Sequence, residues 1–257
     1  MIAAWLAFQT LIATSGGPAA DRLFAGLAPA DAEVVYIPTA ASSLRSDKGT
    51  IWTPGEEKNR EAYLSDLRER FGRRRVTILH TRDRREADGQ AFTEPLRRVN
   101  AVWISGGNAG RLADAYLGTR VVKELEALLA RGGVVAGESA GAIILGWYVV
   151  RGNPDKPVLM VKGRERGFGL LPGVAINPHL SAAKRENELV SVVDRYPKML
   201  GIGIDDDAGI VVQGGVAEVF GSGRVAIYDN VKRDGVWYYW LKTGEKLDLR
   251  ARVAVRQ

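Results

Sequence analysis

The sequence predicts an α/β fold in which a mostly parallel sheet is flanked by helices and the C-terminal third is rich in β-strands. In the first half, short runs of β-branched residues alternate with longer amphipathic segments, as in strand–helix units on a parallel sheet. After residue 200, the apolar runs become short and closely spaced. No internal repeat, low-complexity segment or Pro/Ser-rich linker divides the chain, so we expect residues 1–257 to form a single domain.

The predicted elements are bounded by glycine, proline or polar residues. The strands expected in the first half lie at residues 11–14, 34–37, 76–80, 102–104 and 134–136. Helices are expected at residues 57–71, 121–131 and 182–195. The first of these has an apolar face at helical spacing, formed by Tyr63, Leu64, Leu67 and Phe71. The later strands are expected near residue 202 and at residues 210–212, 217–220, 225–228 and 236–241.

The composition excludes several kinds of site. The chain contains no cysteine, which excludes disulfides, thiolate zinc sites, iron–sulfur clusters and a cysteine nucleophile. It contains only two histidines, His80 and His179, so a three-histidine metal site cannot form. Any serine–histidine hydrolytic site must use one of these two residues. We therefore expect neither a metal nor a cofactor.

Charge and hydropathy point to no macromolecular partner. The formal net charge is +6, and the arginines clustered within residues 68–85 straddle a predicted helix end, where solvated cations are favourable. We expect no nucleic acid partner. The apolar stretch at residues 1–8 is shorter than the roughly 18 residues that a membrane span requires. Residues 2–13 resemble the apolar part of a signal peptide, but no Lys or Arg precedes them. We expect a buried strand there and a cytoplasmic protein, with secretion by an atypical N-terminal signal left open.

A glycine-rich segment after one predicted strand carries the strongest chemical signal. Gly137-Glu138-Ser139-Ala140-Gly141 has the Gly-x-Ser-x-Gly pattern of a nucleophile elbow, a sharp turn that projects a serine from a strand end. The two glycines remove Cβ atoms that would clash as the backbone reverses. The N–H of Ala140 would lie at a helix N-terminus, where an oxyanion is favoured. A glycine-rich tight turn without catalysis is the alternative.

A nucleophilic serine needs a base and an oriented acid. His179 ends a predicted strand and could reach the same sheet edge as Ser139, whereas the position of His80 is typical of a surface residue, so we predict His179 as the base. The candidate acids are Asp155, Asp205, Asp206 and Asp207. A charged triplet is also typical of a solvated turn. With Asp206 as the acid, the order is serine, histidine, acid, which differs from the serine, acid, histidine order of α/β-hydrolases and argues against an esterase.

A second oxyanion donor is expected after the strand at residues 102–104. Gly106, Gly107 and Asn108 form a flexible turn there, in which backbone N–H groups can face a ligand. The glycines are equally compatible with a turn that has no catalytic role.

Taken together, separated motifs resemble the serine peptidase family that contains cyanophycinase and dipeptidase E, whose flavodoxin-like fold is similar to class I glutamine amidotransferases. The motifs occur in the family's order, at residues 37–40, 106–108, 137–142, 167–172, 201–208 and 221–225, and the resemblance spans about residues 11–247. It implies a catalytic triad of Ser139, His179 and Asp206, the last at a position where the cyanophycinase branch more often has glutamate. It also implies an oxyanion loop at Gly107 and substrate-binding roles for nearby residues, of which we expect Asn108 and Arg185.

The residues that bind substrate in the cyanophycinase branch are altered in this chain. Alanine replaces a glutamine after the oxyanion loop, Asn-Pro replaces Asp-Gln before the histidine, and one of three spaced arginines remains after it. The residues at these positions are Ala109, Asn177, Pro178, Ala183, Arg185 and Glu188. The dipeptidase E branch carries an acid proposed to orient the histidine in a segment that resembles residues 153–157, so Asp155 stays an alternative to Asp206.

These observations predict a serine peptidase that hydrolyses a peptide or isopeptide bond in an aspartyl-containing substrate through an acyl-enzyme. The expected partner is a small peptide or isopeptide, and a homodimer stays open. A non-enzymatic ligand-binding protein on the same scaffold and an esterase are the alternatives.

Overall fold

A computed structural model describes residues 9–29, 31–73, 75–151, 163 and 165–255. The helices in these residues are α1 (Pro18–Leu27), α2 (Arg60–Arg70), α3 (Arg84–Ala87), α4 (Gln90–Arg98), α5 (Ala109–Tyr116), α6 (Arg120–Ala130), α7 (Ala140–Leu145) and α8 (Glu188–Arg195). The strands are β1 (Thr10–Thr14), β2 (Val34–Ile37), β3 (Leu44–Arg45), β4 (Ile51–Trp52), β5 (Val76–Ile78), β6 (Ala101–Ile104), β7 (Val134–Glu138), β8 (Gly146–Tyr148), β9 (Leu171–Pro178), β10 (Leu200–Ile204), β11 (Ala208–Gln213), β12 (Val216–Gly221), β13 (Val225–Tyr228), β14 (Tyr239–Leu241), β15 (Lys246–Asp248) and β16 (Val253–Val255). None of these helices is long and apolar enough to cross a membrane.

The largest sheet has nine strands in the order β16-β15-β12-β11-β1-β7-β6-β2-β5. The strands β1, β7, β6, β2 and β5 pair in parallel, and helices along the chain supply the long connections that parallel pairing requires. The remaining pairs, from β1–β11 to β15–β16, are antiparallel. The predicted α/β fold, with parallel strands flanked by helices and a β-rich C-terminal third, is confirmed. The large sheet is mixed because the later strands β11, β12, β15 and β16 extend the parallel strands in antiparallel pairs.

A second sheet of five strands, in the order β14-β13-β10-β9-β8, was not predicted. The edge strand β8 pairs in parallel with β9, β9 pairs in parallel with β10, and β13 and β14 add antiparallel pairs. Although β10 and β11 are separated by one short turn, they lie in different sheets. Closely spaced apolar runs predict strands but carry no information about which sheet each strand joins.

The observed elements differ from the predicted bounds in two places that matter here. The helix predicted at residues 182–195 begins at Glu188, because the preceding residues form turns in which Ala183 N donates to His179 O. The strand predicted at residues 236–241 begins at Tyr239, because Val236 instead pairs with Arg233 in a tight turn. The unpredicted elements are the helices α1, α3, α4 and α5 and the strands β3, β4, β8, β15 and β16.

Two hydrophobic clusters pack on opposite faces of the parallel strands. Successive side chains of a strand point to opposite faces, so Leu11 joins one cluster and Ile12 joins the other. The helices α1 and α2 cover one face, and α4, α5, α6 and α7 cover the other. The predicted first strand is observed as β1, which is buried on both sides, while residues 1–8 lie outside the described residues.

The register of the parallel strands brings their carboxyl ends level. Thr14 of β1 pairs with Glu138 of β7, and Ile104 of β6 pairs with Gly137. The loops that follow these three strands therefore meet at one edge of the sheet, where ligands bind in open α/β sheets.

Candidate active site

Ser139 occupies the turn between β7 and α7 in the strained conformation of a nucleophile elbow. Its φ and ψ are 51° and −110°, and its N–H donates to Thr14 O at 2.8 Å. The glycines on each side are required by close backbone approaches. A Cβ atom on Gly137 would lie 2.3 Å from Gly141 O, and one on Gly141 would lie 2.2 Å from Ile104 O. The sequence therefore folds into the predicted elbow because only glycine fits at both positions.

His179 follows the carboxyl end of β9, and its Nε2 lies 3.0 Å from Ser139 Oγ. The backbone around the histidine is held at two points: His179 N donates to Ser15 Oγ at 3.1 Å, and Leu180 N donates to Ile204 O at 3.1 Å. The φ of His179 is 57°, which turns its side chain out of the strand direction. The structure thus brings the predicted base to the predicted nucleophile.

Asp206 lies in the turn between β10 and β11, with Oδ1 2.5 Å from His179 Nδ1. An ionised carboxylate can only accept, so Nδ1 carries the proton and Nε2 is free to accept from the Ser139 hydroxyl. The three side chains form one hydrogen-bonded chain. The side chains of His179 and Asp206 are 36% and 56% exposed, so a substrate can approach the three hydrogen-bonded side chains from solvent.

Among the described candidate acids, Asp205 and Asp207 have hydrogen-bond partners other than His179. Asp205 is buried, accepts from Ser181 N at 3.1 Å and lies near Arg224. Asp207 has a φ of 50° and accepts from Ser222 Oγ at 2.5 Å. Asp155 lies outside the described residues.

The predicted oxyanion loop, residues 106–108, follows β6 and packs closely against the backbone of Ala40. A Cβ atom on Gly107, whose φ is 136°, would lie 2.4 Å from Ala40 O. Asn108 N donates to Ala40 O at 2.9 Å, which leaves the N–H groups of Gly107 and Ala140 without a backbone acceptor in the described part of the chain. Gly107 adjoins Gly106, whose ideal Cβ position is 3.2 Å from Ser139 Cβ. Two backbone donors are therefore available close to the serine, which is what an oxyanion requires.

Comparison with known proteins gives the family. The model of peptidase family S51 matches residues 11–220, most of the chain. The chain belongs to peptidase family S51. The resemblance predicted from the sequence is confirmed, and the match includes the elbow, His179 and Asp206.

Curated relatives of this S51 chain are cyanophycinases. The chain is 32% identical to one from Trichormus variabilis over 166 residues, which are 63% of this chain and 55% of the relative. It is 29% identical to another from Geminocystis herdmanii over 173 residues, which are 66% of this chain and 63% of the relative. The chain therefore matches between about half and two thirds of the length of these relatives.

A solved structure shares the fold. A peptidase from an acI-B1 Actinobacterium superposes with a TM-score of 0.69 at 22% identity, covering 95% of this chain and 98% of that chain. Identity this low supports the fold assignment only.

The two predicted substrate-binding residues of this S51 chain have different surroundings. The side chain of Asn108 caps α5, because its Oδ1 accepts from Gly110 N at 2.8 Å. Arg185 lies beside the histidine, with Nη1 3.4 Å from Pro178 O. Burial and the nearby charge of Arg151 lower the pKa of the Arg185 guanidinium.

Sequence reasoning missed the partner of Glu188. Arg151 Nη1 donates to Glu188 Oε1 at 2.7 Å, and Asn177 Nδ2 donates to Glu188 Oε2 at 3.0 Å. Glu188, which stands where the cyanophycinase branch has an arginine, is therefore paired with Arg151. Nothing in the spacing of these residues signals the contact, because it joins a loop to the start of α8.

A second missed group lies directly beside the nucleophile. Arg70 of α2 donates to Asp21 at 2.8 Å and to Glu138 at 3.2 Å, and Trp103 Nε1 also donates to Glu138 at 3.2 Å. Burial raises the pKa of Asp21, although Arg70 opposes this shift. Burial disfavours the charge of Arg70, but Glu138 and Asp21 outweigh that effect and raise its pKa. Glu138, which precedes Ser139 in the elbow, is thus hydrogen-bonded to an arginine of helix α2.

His80 contacts other residues than Ser139. Its Nδ1 lies 2.9 Å from Thr39 Oγ1, which also lies 2.6 Å from Tyr116 Oη. It is partly buried rather than on the surface, and burial together with Arg82 lowers its pKa. Within the described residues, no group of three or more His, Asp or Glu side chains could hold a metal ion.

Proposed function

We propose that this chain is a serine peptidase, forming one peptidase domain, that hydrolyses a peptide or isopeptide bond in an aspartyl-containing substrate through an acyl-enzyme. The observation that supports it most is the hydrogen-bonded chain from Ser139 through His179 to Asp206, beside two backbone N–H groups that have no backbone acceptor among the described residues. Membership of peptidase family S51 supports the same reaction class.

In the proposed reaction, Ser139 Oγ attacks the carbonyl carbon of the scissile bond while His179 Nε2 takes the hydroxyl proton. The negative charge that develops on the carbonyl oxygen is stabilised by the N–H groups of Gly107 and Ala140. The C–N bond then breaks as Nε2 returns the proton to the leaving amine. Asp206 stabilises the imidazolium through Nδ1 but keeps its own charge.

The same groups then hydrolyse the acyl-enzyme, with water in place of the leaving amine. Water attacks the acyl carbon and gives its proton to His179 Nε2, the C–O bond to Ser139 breaks, and the proton returns to Oγ. The products are a carboxylic acid and an amine, with the enzyme unchanged.

We propose a small aspartyl-containing substrate rather than the polymer of the cyanophycinase relatives. Cyanophycin presents β-linked aspartyl-arginine units, whose carboxylates and guanidinium groups need charged partners. Ala109 and Pro178 supply no side-chain hydrogen bond, and the amide of Asn177 is fully buried. Glu188 is occupied by Arg151 and so offers less to a substrate guanidinium than a free carboxylate would. Cyanophycin should therefore give little product where an aspartyl dipeptide is cleaved.

The test is hydrolysis of α- and β-aspartyl dipeptides, with products identified by mass spectrometry, alongside labelling of the protein by an alkyl fluorophosphonate. We expect one phosphonate adduct on Ser139 and cleavage of at least one dipeptide. Ser139→Ala should lower turnover by about 10⁴-fold or more and abolish labelling, because loss of the nucleophile disables the whole unit. Ser65→Ala, on the exposed side of α2, is the matched control and should behave as wild type.

Three other results would contradict the proposal, in whole or in part. Cleavage of nitrophenyl esters without cleavage of any peptide would favour an esterase. Tight binding of aspartyl dipeptides by a protein that neither turns over nor takes up phosphonate would favour a non-enzymatic binding protein. Depolymerisation of cyanophycin faster than any dipeptide would overturn the substrate proposal alone.

A further inference from the structure

A cavity of about 460 Å³ is lined by residues that adjoin Ser139. Its wall includes Gly106 and Gly107 of the oxyanion loop and Glu138 of the elbow. Because the Cβ position of Gly106 is 3.2 Å from Ser139 Cβ, a group in this cavity is close to a carbonyl held at the serine. Its volume suits a side chain or a terminal residue of a small substrate.

Three arginines line the same cavity, and they come from three separate elements. Arg45 lies on β3, Arg70 on α2 and Arg111 on α5. Glu138 is the acidic residue among the lining residues. The wall is therefore rich in positive charge.

The existing ion pairs show which of these charges are available to a ligand. Arg70 is shared between Asp21 and Glu138, so its charge is already neutralised. Arg45 and Arg111 form no ion pair with any described residue, although Arg45 also borders a smaller cavity lined by Asp47, Asp66 and Glu69. Arg111 Nη1 donates to Ala40 O at 3.2 Å, which anchors the guanidinium near the oxyanion loop and leaves its other donors unused by acids.

We infer that this cavity is a specificity subsite for a carboxylate of the substrate, bound by Arg45 and Arg111; the inference rests on the proposed function. Guanidinium groups bind carboxylates through paired N–H donors, and an arginine fixed at one N–H loses little freedom when it binds. Glu138 offsets this preference only in part, because its Oε2 accepts from Arg70 and from the indole of Trp103, whereas Arg45 and Arg111 together carry two positive charges. A cationic substrate group would meet two unpaired arginines there and would be disfavoured.

The assignment divides substrate recognition between two sides of the serine. Arg185 lies near His179 on one side, and Arg45 with Arg111 lies across the oxyanion loop on the other. The protein should therefore distinguish an acidic substrate from its amide analogue through the charges of these arginines rather than through Ser139. Neither Arg45 nor Arg111 belongs to the sequence motifs that identify the catalytic groups.

The test is protection of Ser139 from a neutral alkyl fluorophosphonate by succinate, with succinamide as the uncharged analogue and sodium chloride used to keep ionic strength constant. For each variant, the labelling rate with ligand is divided by the rate without it, so changes in intrinsic reactivity cancel. We expect succinate to slow labelling of wild type and succinamide to have no effect. Arg45→Gln with Arg111→Gln should raise the succinate concentration for half protection by about tenfold, the loss expected when charge-assisted contacts are removed.

Two further variants keep the test decisive. Arg45→Gln alone, on an exposed hairpin that tolerates substitution, should raise the half-protection concentration by about threefold if the double variant does not fold. Arg250→Gln removes the same charge beyond β15, at the far edge of the nine-stranded sheet, and should leave protection unchanged.

The possible failures are distinguishable. Absence of labelling without any ligand would overturn the proposed function, and this inference with it. Normal labelling with equal effects of succinate and succinamide, or succinate protection that survives in the arginine variants, would overturn the carboxylate subsite and leave the proposed peptidase standing.

Discussion

Three consecutive aspartates show how much a single position decides in this site. Asp205 points inward and accepts from Ser181 N, Asp207 bonds Ser222 in a left-handed conformation, and Asp206 alone contacts His179 among the three. The three carboxylates are chemically identical, and the direction of the backbone at each residue decides which partner each one contacts. A neighbouring aspartate in this turn is therefore unable to replace Asp206 as the partner of the imidazole.

Asp206→Asn tests that assignment. Turnover should fall by about 10³-fold to 10⁴-fold, because an amide favours the imidazole tautomer that cannot accept the serine proton. Steady-state kinetics on a cleaved aspartyl dipeptide would measure the loss, compared at equal folded fraction with Asp155→Asn. A larger fall for Asp155→Asn would assign the orienting role to that residue instead.

At the scale of elements, the elbow depends on how closely α7 approaches the end of β6. A Cβ atom on Gly141 would lie 2.2 Å from Ile104 O and 3.1 Å from Ser105 O, and both are backbone atoms. Backbone cannot move aside as a flexible side chain can. The helix that follows Ser139 is therefore held against the strand that leads into the oxyanion loop.

Gly141→Ala should push α7 away from the end of β6. We expect the free energy of unfolding to fall by about 1–3 kcal/mol and phosphonate labelling of Ser139 to slow at least tenfold, since overpacking shifts the elbow relative to the oxyanion loop. Gly26→Ala is the matched control, because a Cβ atom on that exposed residue of α1 meets nothing within 4 Å. It should stabilise the protein by up to about 1 kcal/mol and leave labelling unchanged. Urea unfolding curves with labelling rates measure both quantities, and equal behaviour of the two variants would refute the argument.

At the scale of the whole molecule, the candidate site joins two sheets. Ser139 belongs to the nine-stranded sheet, whereas His179 follows a strand of the five-stranded sheet and Asp206 lies in the turn that crosses between the sheets. Ser15 connects them, because its Oγ donates to Ile204 O and accepts from His179 N, each at 3.1 Å. The distance between nucleophile and base therefore depends on how the sheets are held together.

Ser15→Ala should weaken that connection. It leaves His179 N and Ile204 O without this partner, so the free energy of unfolding should fall by about 1–3 kcal/mol. We expect kcat to fall several-fold with little change in KM, because the base is displaced while the substrate contacts remain. The exposed Ser65→Ala is the control for loss of a hydroxyl group. An unchanged kcat in a destabilised Ser15→Ala protein would show that the connection is structural only.

The sequence by itself determined the α/β class, the S51 family and the local structure of the elbow. Each depends on neighbouring residues: the alternation of apolar runs, the order of short motifs, and glycines spaced so that a strand can turn sharply into a helix. Ser139 and His179 could be singled out for the same reason, since each follows a recognisable strand, whereas Asp206 was chosen among the candidate acids only through the family resemblance. Their catalytic roles stay a proposal.

Only the tertiary structure decided which distant residues meet. It divided the C-terminal strands between two sheets, placed Arg151 on Glu188, and brought Arg70 to the elbow. It also brought Arg45 and Arg111 to one cavity, although they lie 66 positions apart in the sequence. Local sequence pattern reports which face of an element is buried, but contacts between elements depend on how strands cross and loops close, and no local periodicity records that.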